Sequence, residues 1–248
     1  MSKDYASLAK QLEPWYHRIS ITADYTTQSY LDVDHHWANN RTVRAALDYR
    51  DKSVLDLGTM DGMWAFEAES LGARVVVAAD IWQNCIAGYH RFMLAHEARG
   101  SKVMPVVNGD VHSLYSKLAS PMLRLGIDGF DIIQCLGLLY HVQNPWLALH
   151  QIRRCLSNTG TMLLETALWD HGGDVPMMRA NFDLGTYDDA STFWIPNLPC
   201  LLGLLVATGF TPKLDSVSIV EPYAVRRVAM ICTAGPKPGG DDNFGLNL

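Results

Sequence analysis

Apolar runs and helical patterns alternate along most of the chain. Ser53–Leu57 (SVLDL) reads as a short buried strand, and Arg74–Ala79 (RVVVAA) as a β-branched strand buried on both faces. Between them, Trp64, Ala65, Ala68 and Leu71 give Gly62–Leu71 helical spacing. Ile81–Arg99 also reads as a helix. Val103–Val107, Asp131–Leu136 and Gly160–Thr166 read as strands. Pro145–Leu156 is a helix with Pro in its first turn, and Asn197–Ala207 is an apolar helix that Gly209 can end. Leu214–Val220 and Val225–Thr233 are β-rich and joined by Glu221-Pro222-Tyr223. That link is too short for a parallel crossover, so a hairpin is expected.

This order predicts an α/β fold: a doubly wound, Rossmann-like, mostly parallel seven-stranded sheet with a C-terminal antiparallel hairpin. Residues 1–50 carry Trp15, Tyr16, His17, His35, His36 and Trp37, too aromatic for a disordered arm, and are expected to form a helical cap. Residues 51–235 form the main domain. Within it, 167–196 lack periodicity but hold Trp169, His171, Tyr187, Phe193 and Trp194. A loop of that length suits a lid. Residues 236–248 read as a loose tail.

The 248 residues are 48% hydrophobic and 19% charged, which fits a globular protein. A net charge of -6 counts against a partner held mainly through phosphates. No run is long enough to span a membrane, and the charged N-terminus is unlike a signal peptide. Five scattered cysteines without a CxxC pair point to a reducing, cytoplasmic setting. No metal is expected: His35-His36 has no third ligand at recognisable spacing, and Asp188-Asp189 and Asp241-Asp242 suit solvated surface.

The richest chemistry follows the first core strand, in Asp56-Leu57-Gly58-Thr59-Met60-Asp61-Gly62. Such a turn is the usual ligand cradle of a doubly wound sheet. A pyrophosphate fingerprint would place Gly where Met60 stands, and Asp56 and Asp61 would repel phosphate. Both acids suit a cationic ligand. Asp80, closing the second strand, can take two ribose hydroxyls. Asp110, after the third, can accept from an adenine amino group. Together they point to S-adenosylmethionine. Ile81, Val111 and Leu136, beside these strand ends, complete the candidate cofactor contacts with Gly58, Met60 and Gly62. Gly at tight turns and Asp at helix caps also occur for structural reasons alone.

The D-x-G-x-x-x-G pattern at Asp56–Gly62, the acid at Asp80 and the Gly109-Asp110 pair resemble class I S-adenosylmethionine-dependent methyltransferases over roughly residues 50–235. Leu136–His141, Asn144-Pro145, Leu163–Thr166, Phe193–Asn197 and Gly209-Phe210 are similar to the tRNA wobble-uridine carboxymethyltransferases and to related small-molecule methyltransferases. The former use a carboxylated cofactor, which needs a cationic pocket. That family has a Lys shortly after a Pro-Trp, where Pro14-Trp15 here precedes Tyr16 and His17. Tyr140 and an Arg at 226 or 227 are retained. Loss of the permanent charge favours ordinary S-adenosylmethionine and, with the net charge, a small-molecule acceptor. The retained Tyr and Arg keep (carboxy)methylation of a tRNA wobble uridine with the carboxylated cofactor as the alternative.

Methyl transfer to a hydroxyl or protonated amine needs a base near the fourth core strand. His141 lies there, with an ordinary pKa of about 6.5. It is the candidate catalytic base. Substrate positioning and loop support are its other possible roles. Tyr16, His17, Tyr140, Glu165 and Trp194 are candidate substrate contacts. Tyr140 also suits core packing, Glu165 a helix cap, and Trp194 a hydrophobic seal. The aromatics at 15–17 and 37 and the 193–197 segment are expected to meet over the cleft.

Overall fold

The computed structural model describes residues 3–186, 188–221 and 225–236. Tyr187, Pro222-Tyr223, Asp241-Asp242 and the expected tail beyond Pro236 lie outside them. The N-terminal region contains α1 (Tyr5–Gln11), a small ribbon of β1 (Ser20–Thr22) and β2 (Tyr25–Thr26), α2 (Val33–His36) and α3 (Ala38–Arg44). The expected helical cap therefore includes a β-ribbon.

The core continues with β3 (Ser53–Leu57), α4 (Met63–Ser70), β4 (Val75–Ala79), α5 (Ile86–Arg99), β5 (Met104–Val106), α6 (Leu114–Leu125), β6 (Phe130–Leu136), α7 (Pro145–Cys155) and β7 (Leu156–Leu168). A short ribbon, β8 (Met178–Ala180) with β9 (Trp194–Pro196), precedes α8 (Leu198–Ala207), β10 (Phe210–Pro212), β11 (Ser218–Val220) and β12 (Arg226–Ala234).

The sheet order is β10-β12-β7-β6-β3-β4-β5, with β3 to β7 parallel and β12 antiparallel to β7. β11 pairs with β12 as the expected hairpin, on the edge that β10 also uses. The chain leaves β3 for β4 and β5, then returns to place β6 on the other side of β3. The loops after β3 and β6 therefore diverge and open a crevice beyond their carboxyl ends.

Alternation within the strands builds two apolar layers. Leu55, Leu57, Val77, Ile133 and Leu164 pack with Leu118, Leu149, Ile152 and Leu201 from α6, α7 and α8. Val54, Val76, Ile132, Leu163 and Ala229 pack on the other face with Trp64, Phe66, Phe92 and Val43 from α3 to α5. Trp15 and Trp37 belong to this second layer. They are 0% and 2% exposed, and Trp37 also reaches the turn after β6, where Arg227 lies 5.8 Å from its ring. The Trp15 indole N–H is satisfied locally by the Ala9 carbonyl at 3.0 Å.

Several local readings change. The helix expected from Ile81 is broken by a 3-10 turn at Trp82–Asn84, because the Trp82 indole donates to the Met60 carbonyl at 2.6 Å. The sequence reading passed over α6, whose Leu114, Leu118 and Met122 nevertheless recur every fourth residue and are buried. It also passed over β10. β7 runs on to Leu168 because β12 supplies a partner as far as Arg226. Leu214–Ser216 is a 3-10 turn, not the start of a strand. Among the described residues no helix is long and apolar enough to cross a membrane.

Candidate functional site

The turn after β3 needs three left-handed residues: Gly58 (φ 65°), Met60 (φ 55°) and Gly62 (φ 96°). A Cβ on Gly62 would lie 2.5 Å from the Phe66 ring, so only glycine fits. Met60, an L-residue held left-handed, is anchored at both backbone groups. Its N–H donates to Asp80 at 2.7 Å, and its carbonyl accepts from Trp82. Asp80 thereby joins the β3 turn to the end of β4. Burial raises the Asp80 pKa. Ile81, 39% exposed, flanks it at the rim.

After β5, Asp110 accepts from the His112 N–H at 3.0 Å and lies 3.1 Å from His112 Nδ1. Val111 and Leu136 are buried nearby in the chain, at the ends of successive core segments. The acids at positions 56, 80 and 110 thus come from three adjacent strands, β3, β4 and β5.

Asp56 is buried and accepts from Gln134 Nε2 at 3.1 Å. Burial pushes its pKa up to about 6. The folded state then holds this proton more tightly than the unfolded state. The associated stability is present below the unfolded pKa and lost as pH rises through about 6. Asp56→Asn should remove that loss, flattening thermal stability between pH 4 and pH 7 by up to about 3 kcal/mol. Parallel melting curves for the two proteins across this range would refute it.

Asp61, expected with Asp56 to face a cation, is taken up by the N-terminal segment. Its Oδ2 accepts from the Tyr16 and His17 N–H groups at 3.0 and 2.9 Å, and its Oδ1 lies 2.5 Å from His17 Nδ1. His17 is 3% exposed and sits beneath the surface; Tyr16 stays half-buried beside Tyr30.

A second group surrounds the turn after β6. Glu165 on β7 pairs in register with Ala229 on β12, so Arg227 stands two residues along on the same face. Arg227 Nε and Nη2 donate to the two Glu165 oxygens at 2.6 and 2.8 Å. Both guanidinium ends also donate to the Tyr140 hydroxyl at 3.3 Å. Glu165 accepts in addition from the Gly137 N–H at 3.0 Å. The Glu165 carboxylate, expected to face the cleft or cap a helix, does neither: it is fully buried. Arg227 stacks over Tyr140 at 4.9 Å and near Trp37 at 5.8 Å. His36 is driven down to about 3 by burial, then by Arg227 and by His17 and His35, so it is neutral at physiological pH.

His141 follows Tyr140, with ring centroids 4.1 Å apart. Its Nδ1 is 3.1 Å from the Ser191 carbonyl, and burial lowers its pKa. The 193–197 segment reaches Tyr140, whose carbonyl accepts from the Phe193 N–H at 2.8 Å. Trp194 turns towards α7 instead, donating to the Gln143 carbonyl at 2.9 Å. It packs edge-on against Phe182.

The structure brings together Tyr16, His17 and the glycine turn, and around the next turn Tyr140, His141, Glu165 and Arg227, with Trp37 between the two groups, 6.0 Å from His17 and 5.8 Å from Arg227. It leaves Trp15 in the core and Trp194 at the α7 end. Sequence reasoning missed Gln134, which also accepts from Arg44 and Tyr49. A polar residue in an otherwise apolar strand was the available signal. A groove of about 730 Å³ between α1 and α5, lined by Leu8, Tyr89 and Met93, lies away from the crevice. A pocket of about 250 Å³ opens beyond the end of β7, beside Trp169, His171, Arg179 and Arg226.

The donor set fits S-adenosylmethionine. Glycine turns allow backbone approach, and the strand ends present carboxylates where a pyrophosphate would be repelled. A family profile described as Methyltransferase domain matches residues 30–210. The chain is 27% identical over 238 residues to a tRNA U34 carboxymethyltransferase of Psychrobacter sp. (strain PRwf-1), covering 90% of this chain and 65% of that one. It is 30% identical over 212 residues to a tRNA U34 carboxymethyltransferase of Mannheimia succiniciproducens, covering 82% and 58%. It thus spans less than two thirds of the length of these curated relatives. The N-terminal domain of EvdMO1 with SAH bound superposes with a TM-score of 0.60 at 18% identity, over 93% of this chain and 95% of that one. The chain belongs to the methyltransferase-domain family and is an S-adenosylmethionine-dependent enzyme of class I.

Proposed function

We propose that the enzyme methylates an oxygen or nitrogen of a small molecule, using ordinary S-adenosylmethionine. One observation carries this reading: the cationic candidates Arg227, His17 and His36 already face acids or are neutral. Arg227 is bonded to Glu165, His17 to Asp61, and His36 is uncharged at neutral pH. An extra carboxylate on the cofactor would meet compensated charge. The pocket beyond β7 has room for a small acceptor, and the net charge of -6 disfavours a polyanionic one. The proposed setting is the cytoplasm.

In this reading Asp80 holds the ribose and Asp110 the adenine amino group. Ile81, Val111 and Leu136 line the adenine, and Asp56 faces the positive end. The backbone at Gly58, Met60 and Gly62 forms the floor. When bound, the cofactor supplies a methyl group on a positive sulfur that leaves as a neutral thioether. Tyr140, set by Arg227, and Tyr16, set by its own link to Asp61, orient the acceptor. Phe193, whose N–H is bonded to the Tyr140 carbonyl, brings the 193–197 segment to the crevice and helps exclude water. His141 removes the acceptor's proton.

Asp80→Ala should weaken S-adenosylmethionine binding by about 1.5–3 kcal/mol, the range for hydrogen bonds to a charged group. Titration calorimetry reads this directly, and unchanged affinity would remove Asp80 from the ribose role.

A second reading, carboxymethylation or methylation of a tRNA wobble uridine, is favoured by the Tyr140–Arg227 contact and by the two curated relatives. Mass spectrometry of the co-purifying nucleoside separates the cofactors: ordinary S-adenosylmethionine or its demethylated product is expected. The carboxylated form would overturn the first reading. Transfer of labelled methyl into bulk tRNA would do the same for the acceptor.

A further inference from the structure

We propose that Ser191 and Asp189 are positioning residues that hold His141 as the Nδ1–H tautomer and leave Nε2 as the proton acceptor; this rests on His141 being the base. Ser191 does not stand out in the sequence, and Asp189 reads there as solvated surface; both lie in the segment between β8 and β9. They reach a turn fifty positions away.

The hydrogen positions follow from what each atom can do. His141 Nδ1 is 3.1 Å from the Ser191 carbonyl, which has no hydrogen to give. The hydrogen must therefore be on Nδ1. Ser191 Oγ is 3.0 Å from the same nitrogen and 2.6 Å from Asp189 Oδ1. A carboxylate only accepts, so the hydroxyl hydrogen points to Asp189 and the hydroxyl lone pair to Nδ1–H. Asp189 Oδ1 also accepts from the Ser191 N–H at 2.8 Å, which holds it in place. Every group has one consistent role, and the neutral imidazole has its lone pair on Nε2.

The loop is closed on itself around Ser191 and tied to the site just after it. Asp189 offers its carbonyl to the Thr192 N–H at 3.0 Å, and the Phe193 N–H donates to Tyr140 at 2.8 Å. The charged and titratable groups facing His141 are Asp189 from this segment, Arg227 from β12 and Tyr140 from its own turn. Asp189 favours the imidazolium and Arg227 opposes it. In the reaction the acceptor's O–H or N–H bond breaks and its proton goes to Nε2. The bonding pair remains on the acceptor atom as nucleophile. The resulting imidazolium keeps its Nδ1–H on Ser191, whose hydroxyl passes the influence of Asp189 inward. Its Nε2 proton leaves to water after turnover.

The test needs no acceptor. Protein with ¹⁵N-labelled histidine is titrated by long-range ¹H–¹⁵N spectroscopy, with His141 assigned by its loss in His141→Gln. We expect Nδ1 protonated and Nε2 bare above the His141 midpoint. Asp189→Asn should lower that midpoint by about 0.5–2 pH units, the effect of one charge at this range. Ser191→Ala should lower it too, with Nδ1 still protonated because the main-chain carbonyl at that position remains, and Ser191→Thr should restore the midpoint. An Nε2–H wild-type ring, or a midpoint indifferent to both variants, overturns the proposal. Full-rate turnover by a His141 variant, with the spectra as expected, would instead overturn the base reading while the tautomer assignment stood.

Discussion

Replacing Arg227 with methionine should destabilise the protein by about 3–5 kcal/mol, the usual effect of removing one member of a buried ion pair. Glu165 is 0% exposed and Arg227 1%, so neither charge can turn to water. Without the guanidinium, the Glu165 carboxylate would keep only the Gly137 N–H among its stated donors. The Tyr140 hydroxyl would lose its contact with both ends of the guanidinium. The penalty lies in the stranded charge, not in the attraction lost. Arg227→Met combined with Glu165→Gln should therefore recover much of the stability, since the amide oxygen still accepts from Gly137. Urea unfolding of the three proteins checks this. A single variant no less stable than the double would show that the carboxylate is tolerated unpaired.

His141→Ala should lower the maximal rate by roughly 10²–10⁴-fold while cofactor affinity stays nearly intact. The wild-type rate should rise with pH, because only the neutral ring accepts a proton. Burial moves that rise to lower pH than an ordinary histidine would give. The measurement uses an acceptor that the wild-type protein methylates. A variant with only a raised Michaelis constant would make His141 a substrate contact and leave the proton to another group.

The order of strands and helices was legible in the chain. Val54–Leu57 and Val75–Ala79 are apolar at every residue or nearly so, and strands buried on both faces require that. Gly58 and Gly62 mark a turn with positive φ, which the structure contains. Asp56, Asp80 and Asp110 follow from strand position alone, because the carboxyl ends of parallel strands share one edge. The α6 helix was equally local, but its polar neighbours and Pro121 masked the four-residue repeat of Leu114, Leu118 and Met122.

Pairing across the chain was beyond reach. Glu165 and Arg227 looked like a strand-end acid and one of two candidate arginines. Only the antiparallel register of β7 with β12 sets them on one face. Asp61 read as a ligand group until His17 closed on it across forty-four positions. Trp15 read as a cleft aromatic, but the sheet face needed covering and took it into its core. By itself the sequence determined the β/α alternation, the glycine turn and the acids at three strand ends, because short-range period and backbone sterics suffice for these. Which charges neutralise each other, and which loop orients His141, were decided by the tertiary structure, since ion pairs and hydrogen bonds depend on distances that only the closed sheet and its packed layers create.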